Sequence, residues 1–346
     1  MTQAPIKTEA LVIGAGPVGL FQVFQLGLQG VYCHVVDALP HVGGQCAELY
    51  AGKPIYDIPG IPFCTGQDLV ERLQQQMVPF KPTLHLGQQV THIERQADQR
   101  LAITTDGGQH FLTSTLFIAA GVGAFVPRRM VLDGLSAFEG TQVFAEHPAP
   151  ERWAGHHLVV AGDGDTALQT CLDAMTGPQA AASVTLLHRR DQFSAAPELT
   201  EQMRQACAQG RMRFVAGQPT GLKVEQGRLQ ALELLNPQGE AQWLSLDVLQ
   251  TCLGLSPKLG PVAQWGLAME RKQLVVNTEN FGTSEHGIFA VGDINTYPGK
   301  KKLILCGFHE ATLAAFGAVA LLRPTEKTLL QYTTTSTLLH QRLGLV

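Results

Sequence analysis

Two copies of one pattern, an apolar strand, a glycine-rich turn, a helix and a second strand, predict an α/β chain. The expected architecture is two Rossmann-like, three-layer (ββα) dinucleotide-binding domains. A length of 346 residues agrees with two domains at about 150 residues each. A hydrophobic content of 45% supplies two cores and excludes a disordered chain.

The first copy begins with the apolar run A-L-V-I at 10–13, followed by G-A-G-P-V-G at 14–19, a helical stretch to about Leu28 and a strand over 31–37. Gly14 permits the tight turn, Gly16 admits a pyrophosphate to the backbone, and Gly19 lets helix and strand pack closely. The helix N-terminus offers amides to phosphate, and Pro17 within the motif is counted with Gly14, Gly16 and Gly19 among the expected FAD contacts. Asp37 closes the second strand at about the 20-residue spacing expected of a ribose contact.

The second copy runs H-L-V-V-A at 157–161, then G-D-G-D-T-A at 162–167, a helix to about Met175 and a strand over 183–187. Gly162, Gly164, Asp165 and Thr166 form its expected phosphate turn. Where the first copy has an acid, this one has His188, Arg189 and Arg190. An acid accepts from a free 2′-hydroxyl and repels a 2′-phosphate, whereas two guanidinium groups do the reverse. The first unit is therefore expected to take a nucleotide with a free ribose and the second NADPH.

Near the C-terminus, G-I-F-A-V-G-D at 287–293 reads as a strand ending in Gly-Asp, ahead of a helical pattern from about Ile304 to Leu322. Asp293 is placed to meet the ribityl chain or phosphate of a flavin. The chain then leaves the first domain near 121–125 and returns near 285. The expected division is 1–125 with 285–346 for FAD and 126–284 for NADPH, with small residues at 122–124 and 283–285 permitting a hinge.

Composition narrows the function classes. A net charge of −4 lowers the prior for a nucleic-acid binder. The seven cysteines include no C-x-x-C pair, so neither a local zinc knuckle nor a local dithiol is expected, and an odd scattered set suits a reducing cytoplasm. The apolar run 311–322 is short for a membrane span and reads as a buried helix.

Further motifs carry a resemblance across essentially the whole chain: G-G-Q at 43–45, L-Y at 49–50, I-Y-D-I-P-G at 55–60, G-x-G-A-F at 121–125, H-R-R-D-x-F at 188–193 and Y-x-G-K at 297–300. In this order the chain resembles the bacterial thioredoxin-reductase-like ferredoxin/flavodoxin–NADP⁺ reductases. The resemblance implies a homodimeric FAD enzyme. It assigns Asp37 to the adenosine ribose and Gln45, Val90, Phe125 and Asp293 to further FAD contacts. It also implies that Tyr50 stacks on one face of the isoalloxazine ring, and that a tail with Tyr332 and Thr335 covers the other face from the partner subunit. Two departures stand out: Asp163 replaces a common glycine, and Ser194 stands where an arginine is frequent.

Thioredoxin reductases share this architecture but use a C-x-x-C dithiol, and Cys171 has no neighbouring cysteine in sequence. A related class of disulfide reductases carries a cysteine where this chain has Val18. The expected reaction is hydride transfer from NADPH to flavin N5, then single-electron transfer to ferredoxin or flavodoxin, with no protein acid or base required. An acidic carrier would meet Lys300, Lys301 and Lys302. Two alternatives stay open: an NADPH-dependent reductase of an external dithiol protein, and a non-catalytic FAD/NADPH sensor.

Overall fold

The computed structural model describes residues 4–145, 148–326 and 330–345, with the side chain of Phe125 outside the description. The chain divides into two compact units, Met1–Ala124 with Pro257–Val346, and Phe125–Ser256.

In the first unit β1 (Ile6–Ile13) lies between β2 (Cys33–Asp37) and the strand His110–Ile118, parallel to both. Thr83–Leu86 extends the sheet beyond β2. His110–Ile118 is shared between two neighbours. Its first half pairs antiparallel with Leu101–Thr105, and its last residues pair parallel with Ile288–Ala290. That second pairing stitches the returning chain into the sheet, and Phe117 stacks on Phe289 at 5.0 Å.

Helix α1 (Pro17–Leu28) starts with Gly16 as N-cap and proline in its first turn. Leu20, Val23 and Leu26 are buried against the sheet. The helix Ile304–Leu322 packs beside α1, with Phe308 against Phe21 at 4.7 Å, and buries Ala311, Ala314, Ala315 and Ala318, the spacing of one helical face. It is 19 residues long, and by length and composition alone it could cross a membrane. The alanine face and the buried Glu310 belong to the core of this unit.

The return to the first unit falls at Pro257, earlier than the sequence places it. Gln273–Val275 pairs with Asn295–Thr296, and Leu274 and Phe281 are buried in the first unit's core. Strands this short carry no readable alternation, which is why the sequence reading assigns this segment to the second unit.

The second unit has a parallel sheet in the order Val143–Phe144, Val248–Cys252, His157–Gly162, Ser183–His188, Arg213–Ala216. Helices Asp165–Asp173 and Pro197–Ala208 pack with it, and an antiparallel meander over 218–245 adds a further layer.

Candidate functional site

In the first unit the glycine turn is built by exclusion. Gly14 has φ +105°, and a Cβ there would strike the carbonyl of Ala119. A Cβ on Gly19 would strike the Gly14 carbonyl. The loop at 43–45 folds onto this turn, with the Gly43 amide donating to the Ala15 carbonyl at 2.8 Å. A Cβ on Gly44 would sit 3.0 Å from the Gly16 Cα. The bare backbones of Gly16 and Gly44 thus face each other across the N-terminus of α1, which has no side-chain cap and no acid in its first turn. That donor set fits a diphosphate.

Asp37 secures the same turn. Its Oδ2 accepts from the Ala15 amide at 2.5 Å and its Oδ1 from the Leu39 amide at 2.8 Å. Burial raises its pKa, and the two amides act in the opposite direction. Each oxygen keeps a lone pair for a ribose hydroxyl. Val90 is buried close by in chain terms, because the Gln88 amide donates to the Asp37 carbonyl at 3.0 Å. The Gln45 amide group lies 3.2 Å from where a Gly121 Cβ would be, at the end of the strand beside β1. Val18 touches the Gly292 turn, which brings Asp293 to the same end of the sheet. Tyr50 is 39% exposed, with the Lys53 ammonium 5.6 Å from its ring centroid.

Cys46 follows Gln45 and is buried. Burial first, then Cys64 and Asp293, push its thiol up to about 11, so it is no ready nucleophile.

Tyr332 is exposed, and its tail continues into the helix Thr337–Arg342, where Arg342 donates to the Leu28 carbonyl at 2.5 Å. That anchor is at the far end of α1, about 18 Å from the glycine turn at 1.5 Å per residue. Among the described residues, Tyr332 and Thr335 make no hydrogen bond to the turn; the Thr335 amide donates to the Tyr332 carbonyl at 3.1 Å. The Phe125 side chain lies outside the described residues.

Lys300 requires a correction. Its side chain is 6% exposed and its ammonium meets the buried Glu310 carboxylate at 2.5 Å, so it offers no charge to a docking partner. Lys301 and Lys302 are exposed. The lysine run concealed this difference. An acid within an otherwise apolar helix, ten residues on, was the available signal.

In the second unit Gly162 ends its strand against the Cys252 carbonyl, and Gly164 caps the helix Asp165–Asp173 without a side-chain bond. The segment 194–196 folds over this turn. The Ser194 amide donates to the Asp163 carbonyl at 2.9 Å, and the Ala196 amide to the Asp165 carboxylate at 2.6 Å. Thr166 is exposed beside them. His188 Nδ1 donates to the Arg190 carbonyl at 2.9 Å, and its Nε2 lies 4.0 Å from Asp163. Asp163 thus turns toward the strand end. Arg189 and Arg190 are exposed there. Sequence reasoning missed Arg204, which pairs with Asp191 at 2.9 Å and lies over Phe193, neutralising the acid that follows the arginine pair.

Two glycine turns with opposite charge at their strand ends define a class of two-nucleotide oxidoreductase folds, and the comparisons agree. Residues 8–312 match the pyridine nucleotide-disulphide oxidoreductase family model, and the chain belongs to that family. A relative from Albidiferax ferrireducens, named ferredoxin–NADP reductase, is 54% identical and covers 99% of this chain and 97% of its own. One of the same name from Paracidovorax citrulli is 57% identical, covering 98% and 96%. Among solved structures, Lactococcus lactis thioredoxin reductase aligns with a TM-score of 0.55 at 21% identity, over 91% of this chain and 99% of its own. Staphylococcus aureus bacillithiol disulfide reductase Bdr aligns at 0.59 with 15% identity, over 91% and 99%. At such identities these two structures speak for the fold.

Proposed function

We propose that the chain is an FAD-dependent ferredoxin (or flavodoxin)–NADP⁺ reductase. The observation that carries this is the contrast between the two strand ends: Asp37, half-buried and bonded to its own turn, and Arg189–Arg190, exposed beside a second turn. The names of the relatives at 54% and 57% identity agree with it.

When bound, a flavin accepts a hydride equivalent from NADPH and releases the electrons one at a time. The chain's own residues bind and orient. Gly14, Gly16, Pro17 and Gly19 with the amides of α1 hold the FAD diphosphate, and Asp37 accepts from the adenosine ribose. Gln45, Val90, Phe125 and Asp293 make further contacts, and Tyr50 stacks on the ring. Gly162, Gly164, Asp165 and Thr166 hold the NADPH diphosphate, while His188, Arg189 and Arg190 surround the 2′-phosphate. No side chain needs to move a proton.

The active form in this reading is a homodimer, in which the partner's tail supplies its Tyr332 and Thr335 to the open flavin face. This accounts for a tail anchored away from its own glycine turn. Lys301 and Lys302, without Lys300, contribute to an electrostatic dock for an acidic carrier. The fully buried Cys171, its thiol pushed well up by burial, is a poor thiol relay and gives no support to disulfide chemistry.

The test is anaerobic mixing of the purified protein with NADPH or NADH while flavin absorbance is followed. Rapid bleaching by NADPH and slow bleaching by NADH is the expected result. A colourless protein, or one that NADPH leaves oxidised, contradicts the reading.

A further inference from the structure

Glu310 sits in the middle of the apolar helix Ile304–Leu322 and is 0% exposed. A buried ion pair is weak evidence for stability, because desolvation offsets much of its attraction, and apolar replacements are often as stable. This pair is nevertheless fully furnished. Glu310 Oε1 accepts from Lys300 Nζ at 2.5 Å and from the Tyr297 hydroxyl at 3.0 Å. Its Oε2 accepts from the Gly292 amide at 2.6 Å and from Asn295 Nδ2 at 2.8 Å. Lys300 Nζ also donates to the Gly292 carbonyl at 2.9 Å.

Both backbone polar groups of Gly292 are therefore held by the two members of one ion pair. Gly292 has φ +81°, in the left-handed region, and a Cβ there would lie 3.4 Å from Val18 of the glycine-turn helix. On the other side, Gln273 Nε2 donates to the Asp293 carbonyl at 3.2 Å and to the Asn295 carbonyl at 2.7 Å. The turn that carries Asp293 is clamped from two directions. No other buried ion pair among the described residues stands beside either glycine turn.

We infer that Lys300 and Glu310 are positioning residues that fix the Gly292–Asp293 turn for the flavin, and that their opposite charges balance one another at that turn. The inference rests on the FAD reading above. It gives the Y-x-G-K motif a role inside the protein and not at its surface. Charge balance has a consequence that packing alone lacks. With Glu310 neutralised, the uncompensated Lys300 charge favours the electron-rich reduced flavin and raises its midpoint potential. With Lys300 neutralised, the remaining carboxylate lowers it.

The experiment compares the wild-type protein with E310Q, K300M and K300M/E310Q. FAD affinity is read by fluorescence titration of the FAD-stripped protein, and midpoint potential by spectroelectrochemistry of the loaded protein. Each single variant should bind FAD about tenfold or more weakly, with potential shifts of opposite sign, upward for E310Q and downward for K300M. The double variant should return toward the wild-type potential, and it decides the question if a single variant does not fold. Shifts of the same sign in both single variants, or a double variant displaced as far as E310Q, would overturn the inference and leave ordinary structural support. Unchanged FAD affinity and potential throughout would overturn it too. A wild-type chain that takes up no FAD would instead remove the reading beneath it.

Discussion

Asp37 and Arg189–Arg190 stand at matching ends of matching strands, and in the proposed reading each tells its nucleotide apart by charge. A charge-assisted hydrogen bond contributes about 1.5–3 kcal/mol. Replacing both arginines with glutamine should raise KM for NADPH by about tenfold or more and leave KM for NADH nearly unchanged, as steady-state assays with each nucleotide would show. Equal effects on the two nucleotides would place the 2′-phosphate elsewhere. Gly19 makes a harder demand, because any side chain there enters the Gly14 carbonyl. Gly19→Ala should purify with little or no FAD and a lowered Tm. Full flavin content in that variant would contradict the packing described. The turn glycines were legible in the sequence because their spacing encodes a close backbone approach, which the Gly14 and Gly19 geometry shows; the strand-end acid and bases were legible as positions, and the proposed reading gives them the ribose substituent. Lys300 and Arg204 were not legible. Each acquires its meaning from a residue on another element, Glu310 in one case and Asp191 in the other.

Among the elements, those with a full period were readable. β1, α1 and β2 follow the expected strand–turn–helix–strand order, and the long alanine-faced helix ends at Leu322 as its pattern suggests. The two- and three-residue strands that return the chain to the first unit have too few residues to show alternation, so the boundary at Pro257 was hidden. One element pair carries a pH dependence. His34 on β2 and His85 on the adjoining strand Thr83–Leu86 lie with Nδ1 and Nε2 at 3.0 Å. Burial holds both imidazoles below the usual 6.5, and His85 adds to the effect at His34. The unfolded chain therefore takes up protons below pH 6.5 that the folded chain refuses. Stability is fully present above that value and falls as the pH drops toward the folded-state values. Thermal unfolding from about pH 8 to about pH 5 should show Tm falling through the lower half of this range, with a shallower fall for His85→Gln. Identical slopes for the two proteins would remove this pair as the cause.

At the scale of the whole molecule, the proposed reading gives one unit a dinucleotide with a free ribose and the other a 2′-phosphorylated one, while the Cys46 and Cys171 thiols are buried. In the proposed homodimer the tail serves a second copy. Arg342 fastens its helix to the far end of α1 in its own subunit, while Tyr332 and Thr335 remain exposed. Truncation after Arg323 should leave each subunit able to bind FAD but change the flavin's absorbance and slow carrier reduction. An unaltered spectrum and rate in the truncated protein would leave the tail without a role at the ring. The partner is tested separately by charge: K301E/K302E should weaken the salt dependence of carrier reduction without altering flavin reduction by NADPH.

The most direct test is steady-state oxidation of NADPH by the intact protein, with purified ferredoxin, flavodoxin and oxidised thioredoxin compared as electron acceptors. Turnover with a single-electron carrier and none with the disulfide is predicted. Sustained turnover with the disulfide, or carrier reduction no faster than free FAD achieves, would contradict a protein that splits a hydride into single electrons.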